Sequence, residues 1–153
     1  MAEKLQFELV SPEKLLLSEA VAMVVVPGSE GNFGVLPGHS LLISTVRPGV
    51  IDVYADEQNA VTERIFVSGG FAEVTPERCT VLADEALPIS SLDRGALEQD
   101  QKSLEGSVAS LRDQMTRAQG GDRDEAALQL RAAERRLAVA AAKLAALAGA
   151  ATH

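Results

Sequence analysis

The sequence predicts a β-sandwich, in the form of a flattened antiparallel barrel, followed by an antiparallel two-helix hairpin. Val, Ile, Gly and Pro are frequent up to Pro88, whereas Ala, Leu, Gln, Glu and Arg dominate beyond Ser91, where no proline occurs. Turn signals recur about every 8–12 residues in the first part, the spacing of all-β folds. We therefore predict a β-sandwich domain over residues 1–88 and an α-helical hairpin over residues 89–153.

Short apolar runs bounded by turn residues mark the predicted strands. Leu5, Phe7 and Leu9 alternate with polar residues, as in a strand with one buried face. The run 21–26 is nearly all apolar and predicts a strand buried on both faces. The remaining predicted strands cover residues 41–46, 50–54, 65–67, 71–74 and 79–83. A sandwich of about 85 residues is large enough to bury a core of its own.

Two amphipathic helices are predicted in the second part. One of the serines at 90–91 is the expected N-cap of the first helix, with Asp93 in its first turn. The glycines at 120–121 break the helix, and Asp122 with Glu125 resembles a capping box for the second. Apolar residues recur every three or four positions, so the two faces are expected to pack together. The faces comprise Leu97, Leu104, Val108, Leu111 and Met115, and Leu130, Ala133, Leu137, Ala140, Leu144 and Leu147.

The composition disfavours several classes of function. With 14 Lys+Arg against 22 Asp+Glu the net charge is -8, which argues against nucleic acid as a partner. The single cysteine, Cys79, cannot form an internal disulfide and is predicted to be a small buried hydrophobe. Two histidines and one cysteine cannot complete a Cys/His zinc site, so no metal site is predicted. No segment approaches the roughly 20 apolar residues of a membrane span, so direct membrane insertion is not expected.

The segment 28–39 holds four glycines in 12 positions and predicts a rigid loop with an open backbone. No Gly-Lys-Ser/Thr follows, so it is not a phosphate-binding loop. Two interpretations stay open from the residues alone. The segment either connects strands through a series of turns, or docks another protein with Glu30 at its tip.

No catalytic set is predicted. His39 has no cysteine or second histidine at ligand spacing, and a hydrogen bond within the fold or at an interface is favoured over a catalytic or metal role. His153, the last residue in the sequence, is expected to fray. With one internal histidine and scattered serines, a Ser/His/Asp triad is not indicated.

A charge cluster lies on the predicted second helix, formed by Arg131, Glu134, Arg135 and Arg136. Arg131 and Arg135 are four residues apart and therefore share a helix face. The cluster predicts a solvated face paired with Glu134 and with acids of the first helix. The alternative is an arm that binds an anion or contacts another subunit.

Several blocks together resemble one known family. They are Gly-Ser-Glu-Gly-Asn-Phe-Gly-Val-Leu-Pro-Gly-His at 28–39, Leu-Leu at 41–42, Arg-Pro-Gly at 47–49, Val-Ser-Gly-Gly-Phe at 67–71 and Glu-Val at 73–74. With the Ala-rich tail, this combination resembles the epsilon subunit of the F-type ATP synthase, whose mitochondrial counterpart is called delta. The resemblance implies a flattened β-sandwich followed by a helical hairpin.

The resemblance also implies a function. Such a subunit is a non-catalytic rotor component of the central stalk, links the gamma subunit to the ring of c subunits, and couples proton translocation to ATP synthesis. It needs no cofactor. It sits peripherally at the cytoplasmic face of the bacterial inner membrane, where the ATP synthase complex holds it. Glu30, Gly31 and His39 match the loop that faces the c ring and the foot of gamma.

In the same family the C-terminal hairpin often restrains ATP hydrolysis. From the charge of Arg131, Arg135 and Arg136 we predict that an extended hairpin meets acidic loops of the alpha/beta catalytic hexamer.

A regulatory ATP site is expected to be weak. Many bacterial members open the first helix with Leu-Asp-x-x-Arg-Ala, and in some this motif helps to bind ATP. Here Asp93 matches, but Ala96 stands where the arginine would be, so a phosphate-facing cation is missing. The remaining candidates for ATP contact are Asp93, Arg131 and Arg135.

The residues alone leave two alternatives to this family. A β-sandwich and coiled-coil adaptor unrelated to ATP synthase would share the fold, and its partner would distinguish it. An enzyme on a jelly-roll sandwich would need clustered His and Glu metal ligands in its strands, which the sequence does not supply.

Overall fold

The structure is a computed structural model that describes residues 3–151, and it confirms a β-sandwich followed by two helices. Contacts divide the chain between Ser91 and Leu92 into two compact units. The strands of the first unit are β1 Leu5–Val10, β2 Leu15–Val21, β3 Met23–Gly28, β4 Gly31–Val35, β5 Leu42–Val46, β6 Gly49–Tyr54, β7 Glu63–Val67, β8 Gly70–Val74, β9 Arg78–Ala83 and β10 Ala86–Pro88. The helices of the second unit are α1 Arg94–Arg117 and α2 Gly121–Ala151.

The ten strands form one sheet in the order β10-β7-β6-β3-β5-β8-β9-β1-β2, with β4 paired to β3 outside this path. The pairings are antiparallel except that of β1 with β9, in which Phe7 lies opposite Cys79 in parallel register. The predicted antiparallel arrangement therefore holds for the other strand pairs, and the pairing of β1 with β9 is the exception. Short turns impose antiparallel pairing on neighbouring strands, but β1 and β9 are far apart in the chain and no such turn joins them.

Alternating residues of the strands fill the interior of the sandwich. Leu5, Phe7 and Leu9 are buried as the alternation predicts, and they pack in one cluster with inward residues of the other strands. The prediction of one strand over 21–26 is wrong. The apolar run continues across a bend at Ala22, whose N–H donates to the carbonyl of Tyr54, so it belongs to both β2 and β3.

Three strands lack a clear sequence signal. β2 begins with three consecutive leucines, β4 contains two glycines and an asparagine, and β10 ends at a proline. None of these patterns favours a strand by itself. The strands form because strand preference depends mainly on packing and pairing with neighbours. The pairings with β1, β3 and β7 supply that context.

The helices of the second unit begin differently from the prediction. Asp93 is itself the N-cap of α1, since its Oδ1 accepts from the N–H of Gly95 at 3.0 Å and of Ala96 at 3.5 Å. Ser91 lies in a short 3₁₀ turn and donates to the carbonyl of Pro88 at 2.8 Å instead. The capping box at Asp122 is also wrong, because α2 already begins at Gly121.

The predicted apolar faces of α1 and α2 meet each other. Val108, Leu130 and Ala133 are buried together, with Leu111, Met115 and Leu137 packed around them. Arg112 Nη2 lies 3.5 Å from Glu134 Oε2 across the pair. The short connection at 118–120 makes the helices antiparallel neighbours. His153 lies outside the described residues.

Candidate functional site

The segment 28–39 forms a hairpin turn, a strand and a second turn. β3 and β4 pair up to Gly28 opposite Gly31, so the first turn consists of Ser29 and Glu30 alone. The prediction of a continuous loop is wrong over β4. Its glycines lower the intrinsic preference for a strand, and pairing with β3 overrides that preference.

Hydrogen bonds from the end of β5 and from the β5–β6 turn hold the β3–β4 tip (residues 27–32). The N–H of Ser29 donates to the carbonyl of Thr45 at 3.0 Å, and the N–H of Arg47 donates to the carbonyl of Pro27 at 2.9 Å. The side chain of Arg47 donates from Nη2 to Asn32 Oδ1 at 2.7 Å. Both arms of the tip are thus bonded to β5 or to the turn that follows it.

Two glycines make the β3–β4 tip compact. A Cβ on Gly28 would lie 2.9 Å from the carbonyl oxygen of Gly31 and from the ring of Phe33. Gly31 has a φ of +131°, a backbone conformation that residues other than glycine rarely adopt. The side chain of Glu30 is exposed at the end of this turn. A carboxylate is therefore presented to solvent on a well-fixed backbone.

His39 closes the second turn. The N–H of His39 donates to the carbonyl of Leu36 at 3.1 Å, and Gly38 has φ of +84°, as in a type II turn with proline before glycine. His39 Nδ1 lies 2.6 Å from the carbonyl oxygen of Ser40, so Nδ1 is the donor. Gly38 also donates to the carbonyl of Pro76 at 2.8 Å. β4 lies between His39 and the β3–β4 tip, so the structure does not place His39 beside the carboxylate of the tip.

An apolar row crosses the outer face of the sheet. Phe71 on β8 lies opposite Leu82 on β9, Leu82 lies opposite Val10 on β1, and Val10 lies opposite Leu15 on β2. Phe71 is 58%, Leu82 51% and Leu15 57% exposed. Large apolar side chains in a connected exposed row are typical of a surface that binds another protein.

Sequence reasoning missed the apolar row, although one signal was present. Ala72 and Val74 are buried, so the alternation of β8 turns Phe71 outward. The signal is Phe71 itself, a large aromatic residue at a position of β8 where the alternation predicts an exposed side chain. Its neighbours in the row could not be found, because the β8–β9 and β9–β1 registers are not encoded locally.

The candidates for ATP contact are distributed over both helices. The Asp93 carboxylate accepts the hydrogen bonds that begin α1. Arg131 and Arg135 are exposed on α2, and Ala96 is exposed in the first turn of α1. The structure therefore gives Asp93 a structural role in capping the helix.

The arginine cluster of α2 is solvent-exposed, as predicted. Arg131, Arg135 and Arg136 are all exposed, and no ion pair involves them among the described side chains. The predicted pairing with Glu134 is wrong, because Glu134 pairs with Arg112 of α1. The Glu134 carboxylate is directed to α1, whereas the side chains of the three arginines are exposed to solvent and can contact another molecule.

The thiol of Cys79 is buried in the sandwich core, as predicted, and burial raises its pKa to about 12. The thiol therefore stays protonated at neutral pH and is not a nucleophile. Across residues 3–151 no group of three His, Cys, Asp or Glu side chains is placed to hold a metal ion. Within the same residues, neither helix has the length and apolar character needed to cross a membrane.

The fold and the exposed groups define a class of two-part proteins, a β-sandwich with an exposed carboxylate at the β3–β4 tip and an apolar row on its surface, followed by a C-terminal helical hairpin. The family model described as the ATP synthase Delta/Epsilon chain β-sandwich domain matches residues 4–89. The chain is 55% identical over 144 residues to the ATP synthase epsilon chain of Rhodospirillum centenum, which covers 94% of this chain and 92% of that protein. The chain belongs to the ATP synthase epsilon chain family.

Further comparisons agree with this family. The Rhodospirillum rubrum ATP synthase epsilon chain is 62% identical over 97 residues, covering 63% of this chain and 71% of that protein. A chain in the Euglena gracilis mitochondrial ATP synthase structure has a TM-score of 0.61 at 22% identity, covering 98% of this chain and 82% of its own length. A chain in the Tetrahymena thermophila mitochondrial central stalk and c-ring structure has a TM-score of 0.51 at 16% identity, covering 92% and 97%. These two structures share the fold.

Proposed function

We propose that this chain is a non-catalytic central-stalk subunit of an F-type ATP synthase, which links the gamma subunit to the c ring and rotates with them. The observation that carries the proposal is the fixed β3–β4 tip with its exposed carboxylate, in a chain of the epsilon family. The alternative of an adaptor unrelated to ATP synthase is wrong, because relatives named ATP synthase epsilon chain match almost the whole chain.

The c ring is the proposed partner of the β3–β4 tip. The Glu30 carboxylate is exposed, and a charge-assisted hydrogen bond to a polar or basic group on a c-ring loop is about twice as strong as a neutral one. Through this contact the subunit would sit peripherally at the cytoplasmic face of the bacterial inner membrane. Gly31 and His39 belong to the same proposed contact by family resemblance, with His39 at the far end of β4.

Gamma is the proposed partner of the apolar row. Subunits that stay together during rotation form a permanent interface, and permanent interfaces are more apolar than transient ones. Phe71 and Leu82 give such an interface a large aromatic and an aliphatic anchor side by side. The two proposed contacts use different chemistry, so they can be weakened separately.

The helical hairpin is the proposed restraint on ATP hydrolysis. Arg131, Arg135 and Arg136 are exposed and would meet acidic loops of the alpha/beta hexamer when the hairpin is extended. Ionic strength should weaken this contact, because salt screens exposed charges. In this proposal ATP binding does not control the position of the hairpin. Ala96 stands where the nucleotide motif has an arginine, and the Asp93 carboxylate already caps α1.

Glu30→Lys is expected to weaken association with the c ring and to leave folding unchanged. The side chain is exposed, so the free energy of unfolding should change by no more than about 0.5 kcal/mol. Surface plasmon resonance of the full chain on purified c ring measures the first effect, and a urea titration measures the second. Glu57→Lys, in the exposed β6–β7 connection, is the charge-matched control. Intact c-ring binding by Glu30→Lys would contradict the proposed contact.

Phe71→Ser combined with Leu82→Ser is expected to reduce the affinity for gamma by about 2 kcal/mol, the value of an interface anchor. Both side chains are at least half exposed, so stability should change little. Leu128→Ser, which removes a leucine that is 68% exposed on α2, is the matched control. Co-purification and calorimetric titration with gamma measure the effect. Equal affinity of the double variant and the control would show that gamma binds elsewhere.

A further inference from the structure

We propose that Arg47 is a positioning residue for the β3–β4 tip, whose side chain fixes the direction in which the Glu30 carboxylate is presented. The proposal rests on the proposed c-ring contact of the tip. It concerns a side chain that lies outside the tip itself, in the turn between β5 and β6.

The two arms of the β3–β4 tip are held differently. The β3 arm is bonded through its backbone, because Pro27 accepts from the N–H of Arg47 and Ser29 donates to Thr45. The β4 arm belongs to an edge strand, since β4 pairs with β3 and with no other strand of the described sheet. Backbone pairing therefore supports the β4 arm from one side only.

The side chain of Arg47 supplies the second support. Its Nη2 donates to Asn32 Oδ1 at 2.7 Å, a short distance for an N–H···O bond, and the donor is charged. Asn32 lies opposite Pro27, whose carbonyl is turned away from β4 to accept from Arg47, so no backbone hydrogen bond joins this pair. One arginine thus bonds to the β3 arm through its backbone and to the β4 arm through its side chain.

The bond between Arg47 and Asn32 can fix the direction of the Glu30 carboxylate because Asn32 lies close to it in the chain. Asn32 is two residues beyond Glu30, and Gly31 between them has no side chain to limit rotation. Without the Arg47 bond only the pairing with β3 would hold the β4 arm, so this arm would move more about the glycines while the β3 arm stayed in place. The carboxylate would then sample many directions, and docking would have to order it again.

The test measures amide hydrogen exchange of residues 28–33 in the full chain, without any partner. Arg47→Gln and Asn32→Ala are expected to speed exchange about threefold, because the lost bond is charge-assisted but joins two exposed side chains. Asn32→Asp is expected to slow exchange, because a carboxylate strengthens the bond. Arg117→Gln, which removes an exposed arginine of α1, is the control and should change nothing. Unchanged exchange in both Arg47→Gln and Asn32→Asp would overturn the proposal.

Affinity for the c ring then separates positioning from direct contact. Arg47→Gln is expected to weaken binding about fivefold in the native background and to have no further effect in a Glu30→Gln background. An equal loss in both backgrounds would mean that Arg47 itself touches the partner, and would overturn the positioning role. If Glu30→Gln binds as tightly as the native chain, the c-ring contact fails, while the exchange measurement still decides whether Arg47 holds the tip.

Discussion

Gly70→Ala is expected to unfold the sandwich domain or to destabilise it by more than about 4 kcal/mol. A Cβ at this position would lie 1.8 Å from the carbonyl oxygen of Leu82, on the strand paired with β8. The obstacle is backbone, so no side-chain rotation relieves it. The φ of Gly70 is +146°, which adds conformational strain for any other residue. Urea unfolding followed by circular dichroism measures the loss.

Gly31→Ala is the control for the strain alone. Its φ of +131° is close to that of Gly70, but a Cβ there has no atom within 4 Å. We expect a cost of about 1–3 kcal/mol from the backbone conformation. Similar losses for the two variants would show that the β8–β9 pair can separate at little cost, which would contradict the close approach seen at Gly70.

Deletion of residues 92–153 is expected to raise the ATP hydrolysis of the complete synthase severalfold and to leave ATP synthesis largely intact. The β3–β4 tip and the apolar row both lie in the remaining sandwich, which has its own core. The proposed restraint would be lost because the exposed arginines of α2 are removed with the hairpin. Coupled assays on reconstituted vesicles measure both directions of the reaction.

A full-length variant distinguishes the arginines from the bulk of the hairpin. Replacing Arg131, Arg135 and Arg136 with Gln should reproduce much of the increase in hydrolysis. Replacing Arg94, Arg117 and Arg123 with Gln removes the same charge from other exposed positions of the unit and should have little effect. Equal hydrolysis rates with and without the hairpin would leave it as a passive part of the stalk.

The sequence predicts best where one element carries its own signal. Leu5, Phe7 and Leu9 alternate within six residues, so β1 and its buried face follow directly. The helix faces repeat every three or four residues and identify the contact between α1 and α2. The local pattern does not predict β4, because its glycines have a low preference for strands. This strand forms because it pairs with β3.

The residues of the candidate site likewise fall into those with a local sequence signal and those without one. Glu30 stands out in the sequence because glycines surround it in a turn-rich segment. The bond between Arg47 and Asn32 joins residues 15 positions apart, and no short-range pattern indicates it. The apolar row needs the registers of β8, β9, β1 and β2 at once, and those registers depend on the assembled core.

The parallel pairing of β1 with β9 has a consequence for the time course of folding. β1 emerges first during synthesis, but the strand that covers it on one side is made only when most of the domain has been translated. Such long-range pairing slows folding, because the chain must close a large loop before the contact stabilises anything. Until then Phe7 and its neighbours on β1 lack this cover and are open to wrong partners. A newly made chain therefore completes its sandwich core only after β9 has paired with β1.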